Sequence, residues 1–323
     1  MNRTVLSQSA IPMLFIKARF GEGVLGIGMG FGNRLFPWAR YCIFARFNPG
    51  TLIAPVWMRP AIGQLWRGGV GYRDYLRQLV LFRLFRKRDS ELGVIAGNLR
   101  ALRAVRVEEP PIIAARAEPA QHGTRNLQVV FEGCQGNFVP LNGWDQFLLG
   151  QLRAVTRKKY LDVADSVGDV PIGICVRCGN DFAEPDLDAV RLKFGDKTPV
   201  SWFVDSLRVI REAVGRTVRA FVASDGTRSE LRALLEMEEV TFVRPGCAIS
   251  DLLTLAKARI LLGSGSSSFC AWASFLGQMP SISHPGQPLT EWSIEPRCGQ
   301  FIGEFDPHSP SPTFLDIARN ALN

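Results

Sequence analysis

The residues best suited to chemistry stand directly after short apolar runs in the second half of the chain. Arg177, Gly179, Asn180 and Asp181 close the run Pro171–Arg177, and Ser224, Asp225 and Gly226 follow Val218–Ala223. Arg244 and Pro245 follow Val240–Val243, and the hexad Gly263-Ser-Gly-Ser-Ser-Ser268 follows Arg259–Leu262. An arginine fork, small residues and hydroxyls are what a phosphate group requires. The guanidinium donates two parallel hydrogen bonds. Small residues let the backbone approach, and a helix start offers free N–H groups with partial positive charge. The hexad enters a helix pattern at once and is the most informative of these turns. It is no Walker A loop, because no Gly-Lys-Ser/Thr follows. Ser267 or Ser268 could serve only as an N-cap, but serines 266, 267 and 268 behind two glycines exceed what a cap needs.

These turns need a scaffold that brings them together. Val200, Phe203, Val204, Leu207, Ile210 and Val214 recur at helical spacing behind Pro199. Further helices are predicted over about Thr227–Met237, Ile249–Lys257 and Ser268–Leu276, and a fifth strand over Pro280–Ser283. Strands alternating with helices predict an α/β fold, a parallel sheet with both faces covered. In such sheets ligands bind beyond the carboxyl ends of the strands. Nearer the N-terminus, Val24–Gly32 reads as a strand entering a glycine-rich turn and Leu35–Phe47 as the helix behind it. Gly26, Gly28, Gly30 and Gly32 alternate without satisfying G-x-G-x-x-G. Arg73–Arg88 reads as a basic amphipathic helix, 107–126 as a loop, Leu127–Phe131 as a strand and Trp144–Tyr160 as a helix. The stretch DVADSVGD before the first strand of the second half divides the chain into domains 1–166 and 167–323.

The 323 residues exceed what a single core usually holds, which also favours two domains. With 46% hydrophobic and 21% charged residues, disordered, collagen-like and coiled-coil classes are excluded. No apolar run is long enough to span a bilayer. Ile11–Ile16 is too short for a secretory signal and is interrupted by Lys17 and Arg19, so a cytoplasmic protein is expected. Seven scattered cysteines (Cys42, Cys134, Cys175, Cys178, Cys247, Cys270, Cys298) do not read as a disulfide framework. Cys175 and Cys178 lack the second pair a zinc site needs. His122, His284 and His308 are isolated, and Asp186-x-Asp188 alone is too little for a divalent cation, so no metal and no cofactor is expected. The net charge of +8 is uneven: residues 1–110 hold 17 Lys and Arg against 6 Asp and Glu, a balance of +11. Such an excess attracts nucleic acid, anionic lipid or a phosphorylated ligand.

Three motifs together resemble the alpha-1,2-fucosyltransferase family and the wider fucosyltransferase superfamily. They are Gly30-Phe-Gly-Asn-Arg-Leu-Phe36, which looks like G-x-G-N-Q-L-F; Ile174-Cys-Val-Arg-Cys-Gly-Asn-Asp-Phe182, which looks like H-x-R-R-G-D-[FY]; and Ser267-Ser-Phe-Cys-Ala-Trp272, which is similar to S-S-F-S-x-W. Ser224-Asp225 matches a short S/T-D pair, and order and spacing agree over about 24–285. The resemblance implies a GT-B-like enzyme, two Rossmann-like parallel-sheet domains facing a cleft, with GDP-fucose bound by the C-terminal one. It implies that Arg177 contacts the pyrophosphate, Ser267 and Ser268 the phosphates, and Asp225 the guanine. Asn33, beside Arg34, would reach the phosphates from the opposite domain, and Ser224 and Ser266 complete the donor-binding set. Cys175 and Cys178 stand where the family has histidine and its second arginine, and Asn180 is inserted before Asp181. These departures remove a positive charge near the leaving group and leave room for another nucleotide sugar.

The expected reaction is inverting, metal-independent transfer of L-fucose to a hydroxyl of a glycan acceptor in polysaccharide or oligosaccharide synthesis. Arg177 would stabilise the leaving group, and Asp181 and Glu184 stand in position for a general base. A lipid-linked acceptor and peripheral contact with the inner face of the membrane, through the basic N-terminal third, are compatible with this reading. The competing classes are a degenerate, non-catalytic relative and a basic protein binding membrane surfaces or nucleic acid. Nucleic acid is not expected, since Phe82 and Phe85 lie in a Leu- and Val-rich helix pattern, not interleaved with basic residues on a sheet.

Overall fold

The structure, a computed structural model, describes residues 13–20, 29–57, 84–110, 125–179, 182–186, 191–242, 247–297 and 300–323. Leu14–Arg19 forms β1, followed by α1 (Phe31–Phe47), β2 (Thr51–Ile53), β3 (Glu91–Leu92), α2 (Val94–Ala101), β4 (Val105–Val107) and β5 (Leu127–Glu132). The strands are all parallel in the order β3-β2-β1-β5-β4. Helix α1 is apolar on nearly every side and is therefore a core helix, not a surface one. Phe31, Leu35, Phe36, Trp38, Tyr41, Ile43 and Phe44 are all buried along it.

Helices α3 (Asp145–Val155) and α4 (Lys158–Ser166) lead to the second sheet. It comprises β6 (Val170–Val176), β7 (Ala220–Ser224), β8 (Val240–Phe242), β9 (Ala258–Gly263), β10 (Ser281–Ser283) and β11 (Ile302–Glu304). Its helices are α5 (Val200–Val214), α6 (Arg232–Leu235), α7 (Ala248–Leu255), α8 (Ser268–Gly277) and α9 (Pro312–Leu322). Strand β6 has no charged residue, because both its faces are covered. Ile172, Ile174 and Val176 pack with Phe203, Leu207 and Ile210 of α5, while Cys175 faces Leu252 of α7 and Ala271 of α8 in the other cluster. The order β11-β10-β9-β6-β7-β8 is parallel throughout. Counted from β6 it is the 3-2-1-4-5-6 order of a Rossmann sheet, and the direction of winding reverses between β6 and β9.

The two halves share one continuous apolar cluster, with Phe36 and Phe138 of the first against Trp272 and Phe275 of the second. Arg297 binds the buried carboxylate of Asp145 at 2.5 Å, and Asn142 Nδ2 donates to the Ser293 carbonyl at 3.1 Å. The α/β architecture with two parallel sheets is the expected one. Several elements differ from expectation. Trp144–Tyr160 breaks into α3 and α4 at the extended residues Thr156 and Arg157. Helix α6 is much shorter than Thr227–Met237. Phe31 and Gly32 belong to α1, not to a strand, and 21–28 lie outside the described residues. Of the basic segment 73–88, the described residues 84–88 are not helical: Phe85 bridges Thr156.

Candidate functional site at the switch point

The register levels the strand ends. Val176 pairs with Ser224, and Cys175 pairs with both Ala223 and Gly263. Arg177, Asp225 and Ser264 therefore emerge together at the point where the sheet reverses its winding, the crevice where ligands bind. They are bonded to one another. Arg177 N donates to Ser264 Oγ at 3.1 Å, Arg177 Nη1 lies 3.0 Å from Asp225 Oδ2, and Cys178 N donates to Asp225 Oδ1 at 2.8 Å. Asp225 is thus buried between the backbone after β6 and the guanidinium, holding both. The guanidinium also lies over the Phe182 ring. Ser224 Oγ accepts from Gly226 N at 2.9 Å and shapes the turn that carries Asp225.

The hexad runs from β9 into α8. Ser267 is the N-cap, accepting from Cys270 N, and Ser266 Oγ accepts from Gly195 N at 2.8 Å. Both hydroxyls are buried by these bonds, whereas Ser268 is partly exposed. The start of α1 lies against the start of α8: a Cβ on Gly32 would stand 2.6 Å from Ser268 Oγ and 2.8 Å from Phe269 N. Neither first turn carries an acidic residue. Two positive helix ends thus converge beside Arg177 and the Asp225 carboxylate that pairs with it. Asn33 lies in the first turn of α1. Pro37 removes the N–H that its carbonyl would otherwise accept, and the Cys134 thiol takes that place at 3.7 Å.

The other expected site residues are placed differently. Arg34 is fully buried, its Nε donating to Met29 O at 3.1 Å and its guanidinium over Phe20, so it supports the turn before α1 and is not displayed to a ligand. Glu184 is 79% exposed and ion-paired to Lys197. Asp181 lies outside the described residues. The cysteines also depart from expectation: Cys175 at the end of β6 and Cys270 in the first turn of α8 form a disulfide. Their sequence separation of 95 gave no local signal. Cys178 is a free thiol 3.9 Å from Ser224 Oγ. Burial foremost, then the Asp225 charge, pushes it up to about 11. Its thiolate fraction near neutral pH should therefore be about 100-fold below that of an ordinary cysteine. Iodoacetamide should label it correspondingly slowly by peptide mass spectrometry; labelling as fast as free cysteine would contradict this burial. No group of His, Cys, Asp and Glu suited to a metal ion occurs among the described residues.

No family profile and no curated protein sequence matches the chain. Among solved structures it is similar to POFUT1 in complex with GDP, at 13% identity over 84% of this chain and 98% of that one, with a TM-score of 0.47. It is also similar to the NodZ alpha-1,6-fucosyltransferase co-crystallized with GDP, at 16% identity over 85% and 97%, TM-score 0.49. The fucosyltransferase NodZ from Bradyrhizobium matches at 16% over 84% and 94%, TM-score 0.48. At these values the likeness carries no argument about activity, which rests on the residues themselves.

Two of those residues were not among the sequence candidates. Ser264 is the second residue of the hexad, and its sequence signal is its position immediately after β9. Gln287 had no signal at all. Its buried amide accepts from Thr198 Oγ1 at 2.8 Å and donates to the carbonyls of Lys193 and Asp196 at 3.1 and 2.7 Å. It thereby fastens the segment 193–198 beside the hexad, where Trp292 Nε1 also donates to Gly265 O at 2.8 Å.

Proposed function

We propose that the protein is a glycosyltransferase that transfers L-fucose from GDP-fucose to a hydroxyl of a glycan acceptor, with inversion and without a metal ion. The observation that carries this reading is the convergence of Arg177 and two acid-free helix starts at the switch point of a 3-2-1-4-5-6 sheet. In the reaction the acceptor oxygen bonds to C1 of the sugar, the C1–O bond to the β-phosphate breaks, and its electron pair stays on the phosphate. The acceptor proton passes to a base. Negative charge grows on the departing diphosphate, and fixed donors aimed at it stabilise the transition state. Arg177, held by Asp225, supplies the cation; the N–H groups at the starts of α8 and α1 supply the dipoles. The half that carries the second sheet, 167–323, would bind the donor, and 1–166 the acceptor.

A second reading keeps the scaffold and changes the nucleotide that carries the donor sugar. It is favoured by Cys175, which stands where the resemblance places a histidine and is bonded to Cys270, leaving no side chain for that donor contact. Calorimetry with GDP, UDP and ADP, with magnesium or with EDTA, separates the two. GDP-selective binding that persists in EDTA and is lost in Arg177→Ala is the expected result. UDP preference would replace the donor, and no nucleotide binding by the folded protein would overturn transfer altogether.

A further inference from the structure

Helix α2 faces the wrong way for an ordinary surface helix, which buries its large apolar residues and exposes its polar ones. Its inward residues are small. Gly97 and Ala101 are buried, and a Cβ on Gly97 would stand 2.8 Å from Ile53 Cγ2, so the helix rides close upon β2. Asn98 accepts from Lys17 Nζ of β1 at 2.8 Å, which fixes the rotation of the helix. The large apolar side chains therefore point to solvent. Ile95, Leu99 and Leu102, at i, i+4 and i+7, are 78%, 62% and 75% exposed, and Val105 at the start of edge strand β4 is 43% exposed. A contiguous apolar face of this kind marks an interaction surface.

The charges beside it decide what it meets. Between Gly93 and Val107 there are three arginines, Arg100, Arg103 and Arg106, and no acidic residue. All three are exposed; Arg106 binds Glu132 at 2.6 Å, while Arg100 and Arg103 have no acidic partner among the described residues. A second copy of the chain would bring these arginines against their own kind, which opposes self-pairing. An anionic bilayer offers both halves of the complement at once, phosphates for the guanidinium groups and the acyl boundary for the leucines and isoleucine. The +11 balance of residues 1–110 adds long-range attraction of the same sign.

We propose that the α2–β4 face, Ile95, Leu99, Leu102 and Val105 with Arg100 and Arg103, seats the protein on the surface of an anionic bilayer. It lies on the membrane: no helix among the described residues is long and apolar enough to cross one. The inference stands independently of the proposed transfer reaction. It differs from the basic segment 73–83, which lies outside the described residues.

The test is co-sedimentation of the full chain with phosphatidylcholine vesicles, with and without about one-third phosphatidylglycerol. Two double variants accompany it, Leu99→Asp with Leu102→Asp, and Arg100→Glu with Arg103→Glu. All four positions are exposed, so both variants should keep the circular dichroism spectrum and the nucleotide affinity of the unaltered protein. The expected result is salt-sensitive binding to the anionic vesicles alone, weakened at least about tenfold by each variant. Binding that survives both variants would place the membrane contact elsewhere and overturn the proposal, as would no binding by the unaltered chain. So would a dimer in light scattering that the aspartates convert to a monomer, since the face would then be occupied by a second copy.

Discussion

Arg177→Ala is expected to slow transfer about 100- to 1000-fold, as the loss of one preorganised donor to a developing oxyanion commonly does. Asp225→Ala should reproduce most of that loss, although the resemblance assigned Asp225 to the base. The reason is geometric. Asp225 Oδ2 holds Arg177 Nη1 at 3.0 Å while Oδ1 holds the Cys178 N–H at 2.8 Å, so one carboxylate fixes both the guanidinium and the backbone behind it. Residues that act as one unit are non-additive. The double variant should therefore be scarcely slower than Arg177→Ala, and Arg177→Lys should recover little, because a point charge cannot hold the carboxylate and a phosphate as a planar fork does. Single-turnover rates of the four proteins complete the cycle. Strictly multiplicative losses would show that Asp225 acts apart from Arg177. Weakening of GDP binding alone, with UDP binding and Arg177 function intact, would return Asp225 to the guanine.

Much of this site was legible because parallel sheets leave a plain record. The residues after β6, β7 and β9 could be picked from the ends of apolar runs, since strands covered on both faces are written as unbroken apolar stretches. The strand order then gathers them, and no periodicity records strand order. The first half was less legible for physical reasons. Strands β2, β3 and β4 have two or three residues each, too few for any alternation to show. Helix α1 starts at Phe31, four residues before the pattern suggests, because its N-cap is Gly30 and no capping side chain marks the start. An arginine in a motif reads as a ligand contact, and only packing shows Arg34 enclosed over Phe20. The disulfide between Cys175 and Cys270 and the role of Gln287 depend on approach across the sheet edge, which spacing does not encode.

Close approach also sets the largest stability effect. Gly265→Ala is expected to destabilise the fold by about 3 kcal/mol or more, because the new methyl group would stand 1.5 Å from the carbonyl oxygen of Gln287. Neither side can move away cheaply. Gln287 is held by its three amide bonds, and Gly265 by Trp292 through its carbonyl. Gly286, next to Gln287, is fixed at φ +90° with its own missing Cβ 1.9 Å from Leu192 O. Urea unfolding should show a large fall in midpoint, and Gly30→Ala, with nothing within 4 Å, should change it by no more than about 0.5 kcal/mol. Gly32→Ala separates stability from function. Its methyl group meets a serine hydroxyl that can rotate, but also the backbone of Phe269 at 2.8 Å, so the starts of α1 and α8 must part by a fraction of an ångström. A misplacement of about 1 Å can cost on the order of 100-fold in rate. Transfer should therefore fall steeply in Gly32→Ala while the urea midpoint moves only modestly. An unaltered rate would mean that the two helix starts do not act on one ligand.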